Sequence, residues 1–459
     1  MANPFQAYKI RLNANSKKGI RRDRLYTHQL NFPGFKRRKI LASFSGGHVS
    51  SDAGGCLLLQ QVDRCLGLLR QVGKALNDPR RKASCEHSLL SMLRQRVYGL
   101  ALGYEDLNDH DQLRKDWALQ TATERDTELA SSTTLCRLEN RADRENAWAI
   151  HRVMFDQFTK SFKQPPRELI LDFDATDDTV HGNQEGRFFH GYYDSYCFLP
   201  LYVFCGEQLL VSYLRPSKID GAKHAWAILS LLVKQLRKAW PKVKIIFRGD
   251  SGFCRHKMLS WCERNGVDYI VGLAKNKRLN AQSQELQEQA KKQFQQTGYK
   301  QRLFSAFNYS AKSWGRERCI IAKAEYTDKG PNPRYIITTL DGDSQHLYDR
   351  LYCARGEMEN RIKEQQLYLF ADRTSCHQWW ANQFRLLLAS LAYVLLEGIR
   401  RLALKGTTMA KAQCGTIRLK LLKIGAVIIK NTRRIRFLLS SAYPYKNLFK
   451  HVTQQLNST

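Results

Sequence analysis

Between residues 165 and 340 the apolar positions fall in short dense runs, interrupted by stretches of helical period. "RELILDFDAT" (167–176) is a strongly apolar run that closes in acids, and it predicts a buried strand. "FLPLYVFC" and "QLLVSYL", joined at Gly206-Glu207, predict a hairpin. "AKHAWAILSLLVKQLRKAW" (222–240) is amphipathic with a three- and four-residue spacing and is stopped by Pro241, so it predicts a helix. "VKIIFR" predicts the next strand, "CRHKMLSWCERNG" a helix with glycine at its end, and "DYIVGLA" another strand. After a polar, Gln-rich connector (281–297), "RLFSAFNY", "RCIIAKAEYT" and "RYIITTL" predict a small antiparallel insertion.

Upstream, residues 50–160 read as mostly helical. "SSTTLCRLENRADRENAWAIHRVMFDQF" opens on N-cap residues ahead of one long amphipathic helix. Its first turns suit either a recognition helix presenting Arg137 and Asn140 to bases or a plain bundle helix. Helices resume over about 344–404. Four segments follow: an N-terminal arm over 1–40, a helical domain over 41–164, a core over 165–404 with a β insertion at about 280–343, and a C-terminal region over 405–459. Three antiparallel strands followed by an αβα run is the order of a ribonuclease-H-like fold. It predicts an α/β core, a mixed sheet flanked by helices, with the first strand beside the fourth.

Charge changes the picture more than composition does. Of 459 residues, Lys and Arg number 74 against 42 Asp and Glu, a net charge of +32. Residues 1–40 hold eleven Lys/Arg and one acid, Asp23, while 405–459 hold eleven and none. An excess spread over the whole length points to a long polyanion, nucleic acid above all. No hydrophobic run of about 18 residues is present, which argues against a membrane span. The twelve cysteines form no C-x-x-C pair, so a zinc ribbon is not expected and a reducing cytosol fits.

Against that basic background, lone acids at strand ends stand out. In "KIIFRGDSGF" (244–253), Asp250 follows a buried run, and "DFDATDD" gathers Asp172, Asp174, Asp177 and Asp178. Carboxylates this close raise one another's pKa unless a cation offsets them, and Mg²⁺ needs only two or three of them. Asp172 and Asp174 alternate onto the same face of a strand, so the pattern does not separate them. Capping of the following turn, or pairing with surplus arginines, explains each acid equally well. In "LYDRLYCARGEMENRIKEQQ" (347–366), Tyr352, Arg355 and Glu359 are spaced three and four apart and share a helix face. Glu359 would complete a metal site there, with Arg355 and Tyr352 placed to grip a phosphate; a solvated helix of mixed charges accounts for any one of the three but less well for all together.

The blocks "LDFDATDD", "FRGDSGF" and "YCARGEME", in that order, resemble those of the DDE transposases of bacterial insertion sequences, in the group with a Y-x2-R-x3-E-x6-K helix signature. The resemblance implies a triad of Asp174, Asp250 and Glu359 that holds two Mg²⁺ ions, with Mn²⁺ as a substitute. It implies DNA contacts from Tyr352, Arg355, Lys363, Gln366, Trp314 and Arg248. Gln366 stands where the signature has lysine, and Lys363 is a candidate replacement. Trp314, in "AKSWGRER", corresponds to a tryptophan that holds an extruded base in relatives. The implied activity is DNA cleavage at inverted-repeat ends and strand transfer into target DNA. Partners would be double-stranded DNA and a second copy of the chain, in a bacterial cytoplasm at the nucleoid. A DNA-binding regulator without catalysis, or a nuclease of the same fold, are the alternatives.

Overall fold

A computed structural model describes residues 30–35, 38–42 and 49–458. Residues 1–29, most of the expected basic arm, lie outside the described residues. Leu30–Phe35 and Arg38–Ala42 form an antiparallel hairpin in a first unit, residues 1–49. The remainder, from Ser50 on, is a second compact unit.

That unit is built on a mixed sheet. Its strands are β1 (Glu168–Ala175), β2 (Leu201–Cys205), β3 (Gln208–Tyr213), β4 (Lys244–Gly249), β5 (Asp268–Leu273), β6 (Gln301–Tyr309), β7 (Arg318–Thr327) and β8 (Arg334–Thr338), and their order across the sheet is β6-β7-β8-β5-β4-β1-β2-β3. β4 runs parallel to both β1 and β5, and every other pairing in that order is antiparallel. The first strand therefore lies beside the fourth, as the element order predicts. The expected insertion does not stand apart. β8 pairs with β5, so β6, β7 and β8 extend the same sheet.

Alternation divides the two faces. Leu169, Leu171, Phe173, Ile245 and Phe247 are buried on one side, under α1 (Ala225–Ala239) and α2 (His256–Arg264). Ile246, Ile270, Ile321 and Ile336 are buried on the other, against Leu347 and Tyr348. Asp172, Asp174 and Arg248 alternate onto this second face. The polar connector departs from expectation: Gln284–Thr297 is a helix, α3, with Ala290 as its buried residue. Its apolar stripe, Leu286, Ala290 and Phe294, is too thin to read as a period.

The helices between 57 and 160 share one apolar core with α5 (Trp379–Ala403) and with Val452 and Leu456 near the C-terminus. The predicted long helix is two. Ser131 caps Ser132–Asn140, and the Asp143 carboxylate then accepts from the Asn146 N–H to begin Arg144–Lys160. A second strong N-cap inside the apolar period breaks it. Arg137 and Asn140 are exposed on the shorter helix.

Candidate active site

β1 and β4 end side by side. Their register pairs Asp172 with Arg248 and Phe173 with Gly249, so Asp174 and Asp250 follow at neighbouring strand ends. Past β4 the chain turns at once. The Asp250 carboxylate caps a single 3₁₀ turn by accepting from the Gly252 N–H at 2.9 Å. Both acids thus sit at the carboxyl edge of the parallel strands, where open sheets form ligand crevices.

A helical run covering the second face brings the third acid. It begins with a wide turn over Leu347–Tyr352, in which the Cys353 N–H reaches the Tyr348 carbonyl. It tightens over Cys353–Arg355 and becomes regular in α4 (Gly356–Leu369). Tyr352, Arg355 and Glu359 therefore lie on one continuous run whose pitch changes beside the site, a common place for such bulges. Beyond the site, α4 is tied down by buried Glu364, which pairs with Arg361 and, at 3.5 Å, with Arg400 of α5 and accepts from the Cys414 N–H at 2.8 Å.

Arg355 links two of the acids. One guanidinium nitrogen lies 3.5 Å from Asp174 Oδ2, and the other lies 2.6 Å from Glu359 Oε1. Burial pushes the Asp174 carboxyl up to about 7; Arg355 opposes this, while Asp250 and Glu359 add to it. Tyr352 is raised by burial and by Asp250 as well. Its hydroxyl lies against Gly272 of β5, where a Cβ would sit 2.6 Å from it and 2.8 Å from the Ser251 nitrogen. Only glycine permits that approach.

The donor set is three carboxylates and suits a hard cation, since oxygen ligands of this kind are what Mg²⁺ selects. Among the described residues, no three His, Cys, Asp or Glu side chains are gathered tightly enough to hold an ion as they stand. Between Asp174 and Glu359 the positive charge is supplied by Arg355.

The family model of the transposase DDE domain, group 1, matches residues 32–459. The chain belongs to this transposase family. A search of curated proteins finds no match. Among solved structures the chain is similar to a piggyBac transposase, determined by cryo-electron microscopy as a synaptic complex with hairpin DNA. The two share 11% identity over 79% of this chain and 78% of that one, with a TM-score of 0.40.

Not every residue that the resemblance assigns to DNA reaches the site of this transposase. The Arg248 side chain is buried; it forms a two-point pair with Asp172, at 2.7 Å for Nη2 to Oδ2, and donates to the Leu351 carbonyl. It joins β1, β4 and the Tyr352 segment, and it has no free face for a phosphate. The same pair separates the two acids that the strand pattern left equivalent: Asp172 is consumed by Arg248, and Asp174 is the one beside Asp250. Trp314 is not brought to the site either. It lies in the β6–β7 turn next to the Tyr309–Arg318 pair, and the register from β7 through β8 to β5 puts that pair toward the amino end of β5. Its ring packs on Tyr309 at 5.6 Å and under the Arg318 guanidinium at 4.9 Å. Lys363 is exposed on α4. Gln366 Nε2 donates to the Asp177 carbonyl at 3.1 Å, which ties α4 to the acidic loop.

One residue escaped the sequence reading, and so did the burial of another. Gly272 carried no signal, because its need arises only from Tyr352 folding back over β5. Asp178, one of the clustered acids, is buried beside Thr374 and Asp372, and burial first, then the Asp372 charge, raises its pKa well above the usual carboxylate range.

Proposed function

We propose that this transposase cuts DNA at the inverted-repeat ends of an insertion sequence and joins the freed ends to target DNA. Asp174, Asp250 and Glu359 are the proposed triad, within a core of ribonuclease-H-like type. The single observation that carries the reading is the parallel β1–β4 pair, which delivers Asp174 and Asp250 to adjacent strand ends under the helix that bears Glu359. The strand order β3-β2-β1-β4-β5 supports the fold assignment.

Members of this family generally use divalent metal ions, and Asp174, Asp250 and Glu359 are the residues that would hold them here, with Mg²⁺ as the proposed ion. A bound pair of such ions supplies Lewis-acid stabilisation of the attacking and leaving oxygens of a phosphodiester. The chain's own residues do the rest. Arg355 and Tyr352 orient the scissile phosphate, and Lys363 and Gln366 meet the backbone one and two turns along α4. The basic excess draws in DNA, and 41–164 is the proposed DNA-binding part.

The test uses the full chain, Mg²⁺, labelled duplexes taken from the inverted repeats flanking the gene, and a target plasmid. Joined products support this reading. Nicks without joining would make the protein a nuclease, and a mobility shift with neither would make it a binding protein.

A further inference from the structure

Past β1, the chain leaves the carboxylate end of the sheet and forms a hairpin before returning as β2. Its strands are Phe188–His190 and Ser195–Phe198. Exposed large apolar side chains concentrate there: Tyr192 is 85% exposed, Phe189 53%, Tyr196 48% and Phe188 39%. The rings are displayed rather than stranded, because the hairpin's base is fixed. Ser217 Oγ donates to the Phe188 carbonyl at 2.7 Å, and the Glu185 N–H donates to the His377 carbonyl at 2.9 Å. The Trp379 ring presses so closely on Gly186 that a Cβ would lie 2.5 Å from it.

Cations accompany the rings. The Arg187 guanidinium lies 4.5 Å from the Tyr196 ring centre, and the Lys218 ammonium lies 5.4 Å from that of Phe188. The Ser195–Phe198 strand pairs with Asp178–Thr179, just past the acidic strand end, and Tyr193 stands edge-on to Tyr192 at 4.9 Å. A ribbon of exposed rings, two of them under cations, therefore starts beside the acidic strand end and runs outward.

We propose that this hairpin is a stacking platform for unpaired DNA bases next to the cleaved phosphate, contacted chiefly by Phe189 and Tyr192. Bases in a duplex stack on one another and offer only their edges, whereas unpaired bases offer faces that aromatic rings cover without regard to sequence. Arg187 and Lys218 are placed for the flanking phosphates. The inference rests on the reading that the neighbouring carboxylates cut DNA.

The test uses the full chain carrying Asp250→Ala to prevent cleavage. Two probes are compared at one salt concentration: a blunt duplex, and the same duplex with a short unpaired tail containing 2-aminopurine. Tail fluorescence should be quenched on binding, and the tailed duplex should bind more tightly. Adding Phe189→Ser and Tyr192→Ser should abolish the quench and weaken tailed binding roughly tenfold or more, leaving blunt binding unchanged. Tyr192→Trp should keep the quench. Equal quench and affinity in parent and variant would overturn the platform, as would equal loss on both probes. Failure of the parent to bind even the blunt duplex would overturn the functional reading along with it. Binding of both probes alike by the parent would overturn the platform alone.

Discussion

Arg248 lies directly opposite Asp172 on the neighbouring parallel strand and pairs with it through two nitrogens, both side chains being buried. The pair holds the two strands whose ends carry Asp174 and Asp250. Through the Leu351 carbonyl it also holds the segment that carries Tyr352 and Arg355.

Breaking that pair from one side strands a buried charge. Arg248→Met alone should destabilise the fold by about 3–5 kcal/mol, and Arg248→Met with Asp172→Leu should recover most of the loss. Urea unfolding of the three proteins measures it. A single variant as stable as wild type would show that the pair holds nothing.

Gly272→Ala places a methyl group where the Tyr352 hydroxyl and the Ser251 nitrogen already are. Overpacking of this kind costs about 1–3 kcal/mol. The displaced groups are at the site, so DNA cleavage should fall far more than stability does. Cleavage and thermal unfolding of the same preparation compare the two, and wild-type cleavage would mean that Tyr352 is not held for the reaction.

Asp174 gives a pH signature. Its carboxyl titrates at about 7 in the fold and near ~3.9 when unfolded. The folded chain therefore retains a proton that the unfolded chain releases between those values. This group's stabilising contribution is complete below about 4 and is lost as pH rises through about 7. Without divalent metal, Asp174→Asn should gain stability relative to wild type as pH rises across that window. Parallel melting-temperature curves for the two proteins would contradict the burial of this acid.

Gln366 leaves the expected lysine position uncharged while its amide still bonds the Asp177 carbonyl. Gln366→Lys keeps a donor there and adds a charge. If α4 faces the DNA backbone, the slope of log binding constant against log salt should steepen by about 0.9. An unchanged slope would place position 366 away from DNA.

Much of this architecture was readable from the chain, for identifiable reasons. Buried parallel strands are dense apolar runs, so β1, β4 and β5 and their order followed directly. Asp172 and Asp174 were indistinguishable, because strand alternation puts both on one face and only the opposed Arg248 tells them apart. Arg248 was misread for the same reason: a buried guanidinium and a phosphate-facing one have the same sequence. Trp314 shares its turn with arginines, yet the strand register, invisible in one dimension, sends it toward the other end of the sheet. The "FFHGYYDSY" stretch went unread in the sequence, because only the fixed hairpin base shows that its rings stay open to solvent.

The most direct test of the central claim, that Asp174, Asp250 and Glu359 act together on a scissile phosphate, is cleavage of a labelled element-end duplex by Asp250→Ala in Mg²⁺. The account predicts wild-type DNA binding with no detectable cleavage. Cleavage at the wild-type rate would contradict it.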